Sequence, residues 1–468
     1  MQNYFRNFKT LFAVLLAGAL TFSCSEDNDI KYPDGPEKNI AQVVTGSTNL
    51  SILASAVTKY PDLVSTLSGD GSFTVFAPSN AAFQALLPAI GQTSLNDIPE
   101  DVLKSIIQYH VIASAALKST DLTTGNVNAV NGEAISINVA SGVKINTSTN
   151  VTVADVEATN GIVHIVDAVL VNPSIRPIVG TIVAPAYFNK NFSTLIAAVK
   201  AASPSILTTL LGNGPSNKKL TLFAPTNDAF AAAGITSLPN QATLDAVLTY
   251  HVIDDEVLAS ELPSGSAAIT TLNGKFYLSN NGANGVFINA KTQVVATDIQ
   301  GSNGVVHVIN RTLLPPSQTI AAIAVGLSTG SAPQFTQLVA ALARTSGTDT
   351  DLLAAASDET ANLTVFAPTD AAFEALYTAL GVDGVEEIDL AILTAVLKHH
   401  IVPARVFSTD LTNGTASTLN GDITISATNG TIQDGQGNTA NLSSNAGLLN
   451  VLATNGVIHT IDKVLLPQ

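Results

Sequence analysis

The sequence has a single cysteine, no tryptophan and few charged residues. One cysteine in 468 residues cannot build a disulfide framework, or a zinc or iron–sulfur site with several thiolates, within one chain. Charged residues make up only 12% of the chain, and 20 basic residues stand against 36 acidic ones, which gives a net charge of -16. Because such a polyanion repels a phosphate backbone, we expect no binding to nucleic acid.

The residues that dominate the chain are apolar or favour turns. Hydrophobic residues make up 46% of the sequence, which is ample for packed cores. At about 150 residues per domain, the length predicts roughly three domains. Alanine, threonine, valine, asparagine and glycine are abundant, and this mixture suits short strands, capped helices and Asn-Gly turns. We therefore expect a folded chain rather than a disordered one.

The first residues have the pattern of a targeting signal. Arg6 and Lys9 precede an apolar run from Leu11 to Phe22, which is too short to span a bilayer and is followed by Ser23 and Cys24. Residues 1–23 resemble a bacterial lipoprotein signal peptide, and this resemblance implies that Cys24 is the site of lipid attachment. The alternative is an ordinary secretory signal with an incidental thiol.

A polar segment follows the only cysteine. Residues 24–37 contain Pro33, Gly35 and Pro36 and show no apolar period, so we predict a flexible tether. The acidic stretch at residues 25–29 is similar to the tract that directs lipoproteins to the outer face of a bacterial outer membrane. The alternative is a solvated linker. The expected location is the outer membrane, with the chain lipid-anchored and surface-exposed, or otherwise periplasmic or secreted.

Three motifs then recur in the same order. The first is an apolar stretch ending in Ala-Pro, found at residues 73–83, 220–230 and 363–373. The second carries a histidine, at residues 106–112, 247–253 and 396–402. The third contains Asn-Gly and another histidine, at residues 159–166, 302–309 and 454–461. The interval between copies is too long for a solenoid turn and fits a whole domain.

These motifs, in this order, resemble the fasciclin-type adhesion domain over about residues 38–468. The resemblance implies an α+β fold of three tandem modules, each a small β-sandwich wedge packed with helices. We place the modules at residues 38–173, 177–315 and 318–468, joined by short proline-containing segments. Fasciclin-type modules occur in secreted and surface proteins that mediate adhesion.

The first motif itself predicts a strand-to-helix corner. Proline cannot donate into a β-ladder, so Pro78 is expected to end the strand that contains Phe76. Ser79 then stands where a helix N-cap belongs, with Phe83 four residues later and facing the core. The equivalent residues are Thr226 and Phe230 in the second copy, and Thr369 and Phe373 in the third. We interpret this corner as structural; the alternative is a binding loop.

The second motif predicts the end of a helix. Pro99 opens a helix whose apolar positions follow the 3.6-residue period, and Tyr109 and His110 are expected in its last turn. A histidine there complements the helix dipole.

Histidine is confined almost entirely to two motif positions. These are His110, His251 and His400 in the second motif, and His164, His307 and His459 in the third; His399 is the seventh. A zinc site would need a third ligand, and no acidic residue recurs beside both histidines in all three copies. We therefore predict no metal site, and we interpret His164, His307, His400 and His459 as structural residues satisfied by backbone hydrogen bonds.

The resemblance also implies candidate ligand contacts. In animal members of the family, the Tyr-His pair and an acidic residue before the closing turn are associated with integrin binding. Carried over, they are Tyr109, His110 and Asp155 in the first module, and Tyr250, His251 and Asp298 in the second. The third module has His399 and Asn450 instead. The alternative is that Tyr109 and Tyr250 are core aromatics whose hydroxyls bond nearby carbonyls.

No motif predicts catalysis or a cofactor. Ser328 lies in a Gly-Leu-Ser-Thr-Gly pattern, but a helical pattern precedes it where a nucleophile elbow needs a strand. We expect a non-enzymatic adhesion or matrix-interaction protein with a protein or glycan ligand, touching the membrane only through its lipid. The alternative is an array of carbohydrate-binding modules, which the lack of tryptophan disfavours.

Overall fold

The computed structural model describes residues 36–280, 282, 285–329 and 332–468. The signal segment, the predicted lipid site Cys24 and nearly all of the tether lie outside the described residues. Among the described residues, no single helix is long and apolar enough to cross a bilayer. Only the pair Ile40–Gly46 and Thr48–Val57, which is bent by 95°, reaches that length and composition when its two halves are taken together.

The first module combines five α-helices with seven β-strands in the described part of the chain. The helices are α1 (Ile40–Gly46), α2 (Ser51–Val57), α3 (Pro61–Ser68), α4 (Asn80–Ala89) and α5 (Glu100–Gln108). The strands are β1 (Phe73–Pro78), β2 (Val111–Ile112), β3 (Gly125–Asn128), β4 (Ala134–Asn138), β5 (Lys144–Ile145), β6 (Thr149–Ala158) and β7 (Gly161–Val166).

The second module repeats this order. Its helices are α6 (Ala184–Tyr187), α7 (Ser193–Ala201), α8 (Pro204–Leu211), α9 (Asn227–Ala232) and α10 (Gln241–Tyr250). Its strands are β8 (Leu220–Pro225), β9 (Val252–Ile253), β10 (Gly265–Thr271), β11 (Gly274–Asn280), β12 (Val286–Ile288), β13 (Thr292–Gly301) and β14 (Gly304–Ile309).

The third module has the same plan with a longer fourth helix. Its helices are α11 (Ile320–Ser328), α12 (Thr336–Arg344), α13 (Leu352–Ser357), α14 (Asp370–Leu380) and α15 (Leu390–His399). Its strands are β15 (Leu363–Pro368), β16 (Ile401–Val402), β17 (Gly414–Thr418), β18 (Gly421–Ser426), β19 (Thr431–Gln433), β20 (Thr439–Asn441), β21 (Val451–Ala453) and β22 (Gly456–Ile461).

Each module is built around one parallel pair of strands, made by its first and third motifs. In the first module β1 lies between β2 and β7, with Phe76 opposite His164. The strand order is β2-β1-β7-β6-β5-β4-β3, and β6 carries two register shifts that bend the sheet. In the third module the same arrangement forms two four-stranded sheets. This confirms the predicted α+β fold of three tandem modules.

The strand-to-helix corner forms as the sequence predicts. Ser79 accepts a hydrogen bond from the Ala82 amide at 3.2 Å, and Thr226 and Thr369 cap α9 and α14 in the same way. A side-chain cap satisfies one of the amides that a helix start leaves without a partner. The aromatic ring four residues after each cap is buried in the core, as Phe83, Phe230 or Phe373.

The second motif ends its helix slightly earlier than predicted. Pro99 is the N-cap of α5 rather than its first residue, and the helix ends at Gln108. Tyr109 is therefore the C-cap, and His110 follows it. This places both side chains between the helix and the sheet.

The first two modules share one hydrophobic core. Ile182 and Phe188, at the start of the second module, belong to the same buried cluster as Phe83 and Ile90 of the first. Polar contacts seal this joint, because Gln92 donates to the Pro185 carbonyl at 3.0 Å and is itself buried. The third module keeps a helical core of its own.

Second and third modules meet through aromatic and charged side chains. The guanidinium of Arg405 lies 4.5 Å from the centre of the Tyr277 ring, and the rings of Tyr277 and Phe407 are 5.6 Å apart. Ser266 also donates a hydrogen bond to Asp410. These contacts join the two modules outside their separate hydrophobic cores.

Candidate functional site

Residues of the first motif and of the closing hairpin converge on one loop in each module, which we call the clamp loop. It follows the short second strand and comprises residues 113–119, 254–259 and 403–408 in the three modules. In the first module Thr74 is fully buried in β1, where its hydroxyl donates to the Ala115 carbonyl at 2.7 Å and accepts from the Leu117 amide at 2.8 Å. Thr221 and Thr364 make the same pair of bonds.

The histidine of the closing strand holds the same loop. The His164 ring has no exposed surface, stacks on Phe76 with centroids 5.6 Å apart, and bonds the Leu117 carbonyl through Nε2 at 2.9 Å. Its Nδ1 accepts from the Asp155 amide at 3.3 Å. The Nε2 contacts of the other modules join His307 to Val257 at 2.9 Å and His459 to Val406 at 2.8 Å.

The third module differs at the second ring nitrogen. Nδ1 of His459 is buried and has no hydrogen-bond partner among the described residues. Burial, with a smaller contribution from the charge of Lys291, lowers the pKa of His459 to about 4. Burial also lowers the pKa of His164, but there the Asp155 carboxylate opposes the shift.

The acidic candidates occupy a strained backbone position beside this histidine. Asp155 has φ 60°, Asp298 has φ 60° and Asn450 has φ 54°. Aspartate and asparagine adopt this left-handed conformation more readily than other side-chain-bearing residues. In the first module the position falls between Val153 and Val156, where the register of β6 against β7 shifts.

These three side chains make the same contact to the clamp loop. Asp155 accepts from the Ser119 amide at 2.6 Å, Asp298 from the Ala259 amide at 2.8 Å, and Asn450 from the Ser408 amide at 2.8 Å. Hydrogen bonds from Ser119 lower the pKa of the Asp155 carboxyl. Asp155 is half-buried and Asp298 is exposed, so both carboxylates also reach solvent, whereas Asn450 is buried. An asparagine thus supplies the loop contact without the charge.

The tyrosines of the second motif lie in the sandwich core. Tyr109 and Tyr250 are fully buried, and their hydroxyls donate to the Ala134 carbonyl at 2.7 Å and the Lys275 carbonyl at 2.9 Å. In the third module His399 takes this place and bonds the Asn420 carbonyl at 2.7 Å. Each aromatic side chain therefore links the end of a helix to a hairpin of the sheet.

The adjacent histidines are also buried, with both ring nitrogens bonded to backbone. Nδ1 of His110 bonds the Ile106 carbonyl in the last turn of α5 at 2.7 Å, and Nε2 accepts from the Leu170 amide at 2.8 Å. His251 and His400 make the same two bonds. Burial lowers the pKa of all three to about 4. Each ring therefore serves the end of its helix through a hydrogen bond to a carbonyl of the last turn.

One polar residue of the third motif has a larger role than the sequence indicated. Asn160 is buried beside the closing turn, where its Oδ1 accepts from the Ile40 amide at 2.9 Å and its Nδ2 donates to the Leu67 and Gly69 carbonyls. Thr159 also donates to the Lys38 carbonyl. Asn303 and Asn455 repeat the side-chain bonds, with Ile182 and Ile320 as the amide donors.

This asparagine ties the start of each module to its last hairpin. The Asn-Gly pair predicted only a turn, and the signal that could have shown more is the repetition of the asparagine itself in all three copies.

The polar side chains of the site are occupied by structural contacts. In the described part of the chain, no group of three or more histidine, cysteine, aspartate or glutamate side chains is placed to hold a metal ion. The ring nitrogens of His110 and His164 are occupied by backbone groups, so neither can serve as a base without breaking the loop contacts. Ser328 is the last residue of α11 and is buried.

The threefold construction corresponds to a known domain. The model of one protein family, the fasciclin domain, matches residues 48–172, 190–315 and 333–467. The chain belongs to the fasciclin family. The three matched segments contain the clamp loop of every module and the side chains that bond to it.

Related fasciclin proteins come from animals and bacteria. Transforming growth factor-beta-induced protein ig-h3 of Sus scrofa is 28% identical over 433 residues, covering 92% of this chain and 58% of the relative. Periostin of Homo sapiens is 28% identical over 373 residues, covering 77% of this chain and 40% of the relative. Protein sll1483 of Synechocystis is 42% identical over 142 residues, covering 29% of this chain and 74% of the relative. The chain thus spans about half the length of the two animal relatives.

A solved structure of a FAS1 domain pair from the insect cell adhesion molecule fasciclin I also matches. It is 17% identical, with a TM-score of 0.28, and the match covers 59% of this chain and 97% of that one.

Proposed function

We propose that this fasciclin protein is a non-enzymatic adhesion protein that displays three modules toward a ligand on another cell or in an extracellular matrix. The observation that supports the proposal is the threefold fasciclin match, which accounts for nearly all of the described chain. The geometry supports a non-enzymatic role, because the recurring polar side chains form hydrogen bonds that hold loops and hairpins in place.

The mature chain, purified without its signal, is the reagent that tests this function. The mature chain is applied to an array of matrix proteins and glycans, and its binding to each is measured. If the chain adheres to protein, it should bind one or more of the matrix proteins saturably. Binding to glycans alone would replace the proposal with the carbohydrate-binding alternative. Binding to neither class would contradict both.

We propose further that Cys24 carries a lipid that holds the chain at the outer membrane. Replacing Cys24 with alanine should release the protein from the membrane fraction into the soluble fraction, because the sequence offers a lipid no other thiol. Mass spectrometry of the mature N-terminus checks the modification directly. An unmodified terminus, or a Cys24→Ala variant that remains in the membrane fraction, would contradict the anchor.

We propose that a ligand that binds beside the clamp loop contacts the carboxylates of Asp155 and Asp298. Tyr109, His110, Tyr250 and His251 are buried and would act by holding these surfaces in place. Because Asn450 already makes the loop contact in the third module, asparagine can replace either aspartate without loss of that hydrogen bond.

The double variant Asp155→Asn and Asp298→Asn should therefore fold normally and bind about ten- to a hundred-fold more weakly, because a charge-assisted hydrogen bond contributes roughly 1.5–3 kcal/mol. Unchanged binding in the double variant would place the adhesive surface elsewhere on the modules.

A further inference from the structure

A cavity of about 300 Å³ lies where the second module meets the third, and we call it the junction pocket. Its wall includes Lys291 and Arg311 from the second module and Asn450 from the third, and none of the described residues that line it is an aspartate or a glutamate. Leu314, Pro316, Ile323 and Leu452 supply an apolar side. A concave site of this size with a few polar groups on an apolar wall is typical of small-ligand sites.

The two cations of the junction pocket have no counter-charge. Neither Lys291 nor Arg311 forms an ion pair with a carboxylate among the described residues, although the chain as a whole carries a net charge of -16. Burial, followed by the nearby charge of Arg311, lowers the pKa of Lys291 to about 8. Two like charges held together in a partly buried pocket raise the energy of the free protein.

Thr312 also borders the junction pocket, but its hydroxyl does not open into it. The residue is only 3% exposed, and its hydroxyl oxygen is buried and has no hydrogen-bond partner among the described residues. Its backbone amide donates to the Ala229 carbonyl at 3.0 Å. A buried hydroxyl without a partner costs stability in the free protein.

This polar set is specific to the second module. At the place of Thr312, counted from the histidine of the closing strand, the first and third modules have Val169 and Val464. The first module has Ala168 in place of Arg311 and Ser148 in place of Lys291. Valine has the shape of threonine without the hydroxyl, so the fasciclin fold does not require a polar group at this position.

We propose that the junction pocket binds the oxyanion group of a small ligand, namely a carboxylate, sulfate or phosphate. The guanidinium of Arg311 presents a planar fork of donors that fits such groups, and Lys291 adds a second charge. The apolar wall would contact the remainder of an organic anion. A ligand in this position touches both modules and fastens the second to the third.

The test is calorimetric titration of the mature chain with inorganic phosphate, sulfate, acetate and glucuronate, in a buffer without competing anions. Saturable binding with one site is expected, together with proton uptake near pH 8, because an anion favours the charged form of Lys291. Tighter binding of glucuronate than of acetate would indicate an acidic sugar rather than a simple carboxylate. Tighter binding of phosphate or sulfate would indicate a ligand that carries one of those groups.

Variants separate the junction pocket from general charge effects. The double variant Lys291→Gln and Arg311→Gln should weaken binding at least ten-fold, whereas Thr312→Val should leave the affinity unchanged and raise the melting temperature of the free protein. Lys463→Gln is the matched control, because Lys463 is the third module's equivalent of Arg311 and does not line the junction pocket. Its affinity should equal that of the unaltered chain. No saturable binding of any anion, or equal weakening by Lys463→Gln, would overturn the proposal.

Discussion

Replacing Gly456 with alanine is expected to unfold the third module. Gly456 begins β22 directly opposite Leu363 of β15, and an alanine Cβ there would lie 2.2 Å from the Leu363 carbonyl oxygen and 2.6 Å from Ile320. The carbonyl belongs to the central parallel pair of strands and cannot move away without breaking the ladder. We expect a loss of about 4 kcal/mol or more, which places the change among the most severe single substitutions.

Gly326→Ala is the matched control in the same module. Gly326 lies inside α11, where an added Cβ meets nothing within 4 Å, so alanine should stabilise the helix by about 0.5–1 kcal/mol. Thermal unfolding of the full chain, with hydrogen exchange measured by mass spectrometry, reports both effects. Rapid exchange should appear in the third module only, because the first two modules have a separate core. A Gly456→Ala variant as stable as Gly326→Ala would contradict the close approach of the strands.

Acidification from pH 7 to pH 5 is expected to destabilise every module, and the third most of all. Burial lowers the pKa of His110, His251, His400 and His459 to about 4, whereas an unfolded histidine titrates near 6.5. The unfolded chain therefore binds protons first, so stability is full above about pH 6.5 and falls until about pH 4. Each of these residues costs about 2 kcal/mol at pH 5, and the third module has two of them.

Urea unfolding at the two pH values, followed by hydrogen exchange, measures this difference between modules. His400→Gln removes one titrating ring and should show a smaller fall in stability between pH 7 and pH 5, although it starts from a lower value at pH 7. Carboxylates with lowered pKa values, such as Asp155, lose their contribution only below about pH 4, outside this window. Equal acid sensitivity in the variant and the unaltered chain would contradict the assignment.

The fold and the strand-to-helix corner could be predicted because they depend on local chemistry. Proline ends β1, Ser79 caps α4 and Phe83 points inward, and each of these follows from rules that act within a few residues. The three copies supported one another, since the same residue types recurred where the same roles were needed.

The loop contacts of the site could not be predicted because they join distant parts of the chain. His164 and Leu117 are 47 positions apart, and Asn160 and Ile40 are 120 apart. The sequence showed that Asp155 precedes the closing turn, but its left-handed backbone depends on the register shifts of β6, which no local pattern reveals. The junction pocket could not be predicted from the sequence for the same reason, because residues of two modules form its wall.

The tie between each module's first residues and its closing hairpin has a mechanical consequence. Pulling force that enters the first module at Lys38 and Ile40 passes at once into Thr159 and Asn160, and from there into the parallel strands β1 and β7. The route meets the helices at Ile40, the first residue of α1, and at the Leu67 carbonyl in the last turn of α3. The second and third modules repeat the tie through Asn303 and Asn455. Tension applied along the chain would thus reach the central parallel strands of each module directly from its first residues.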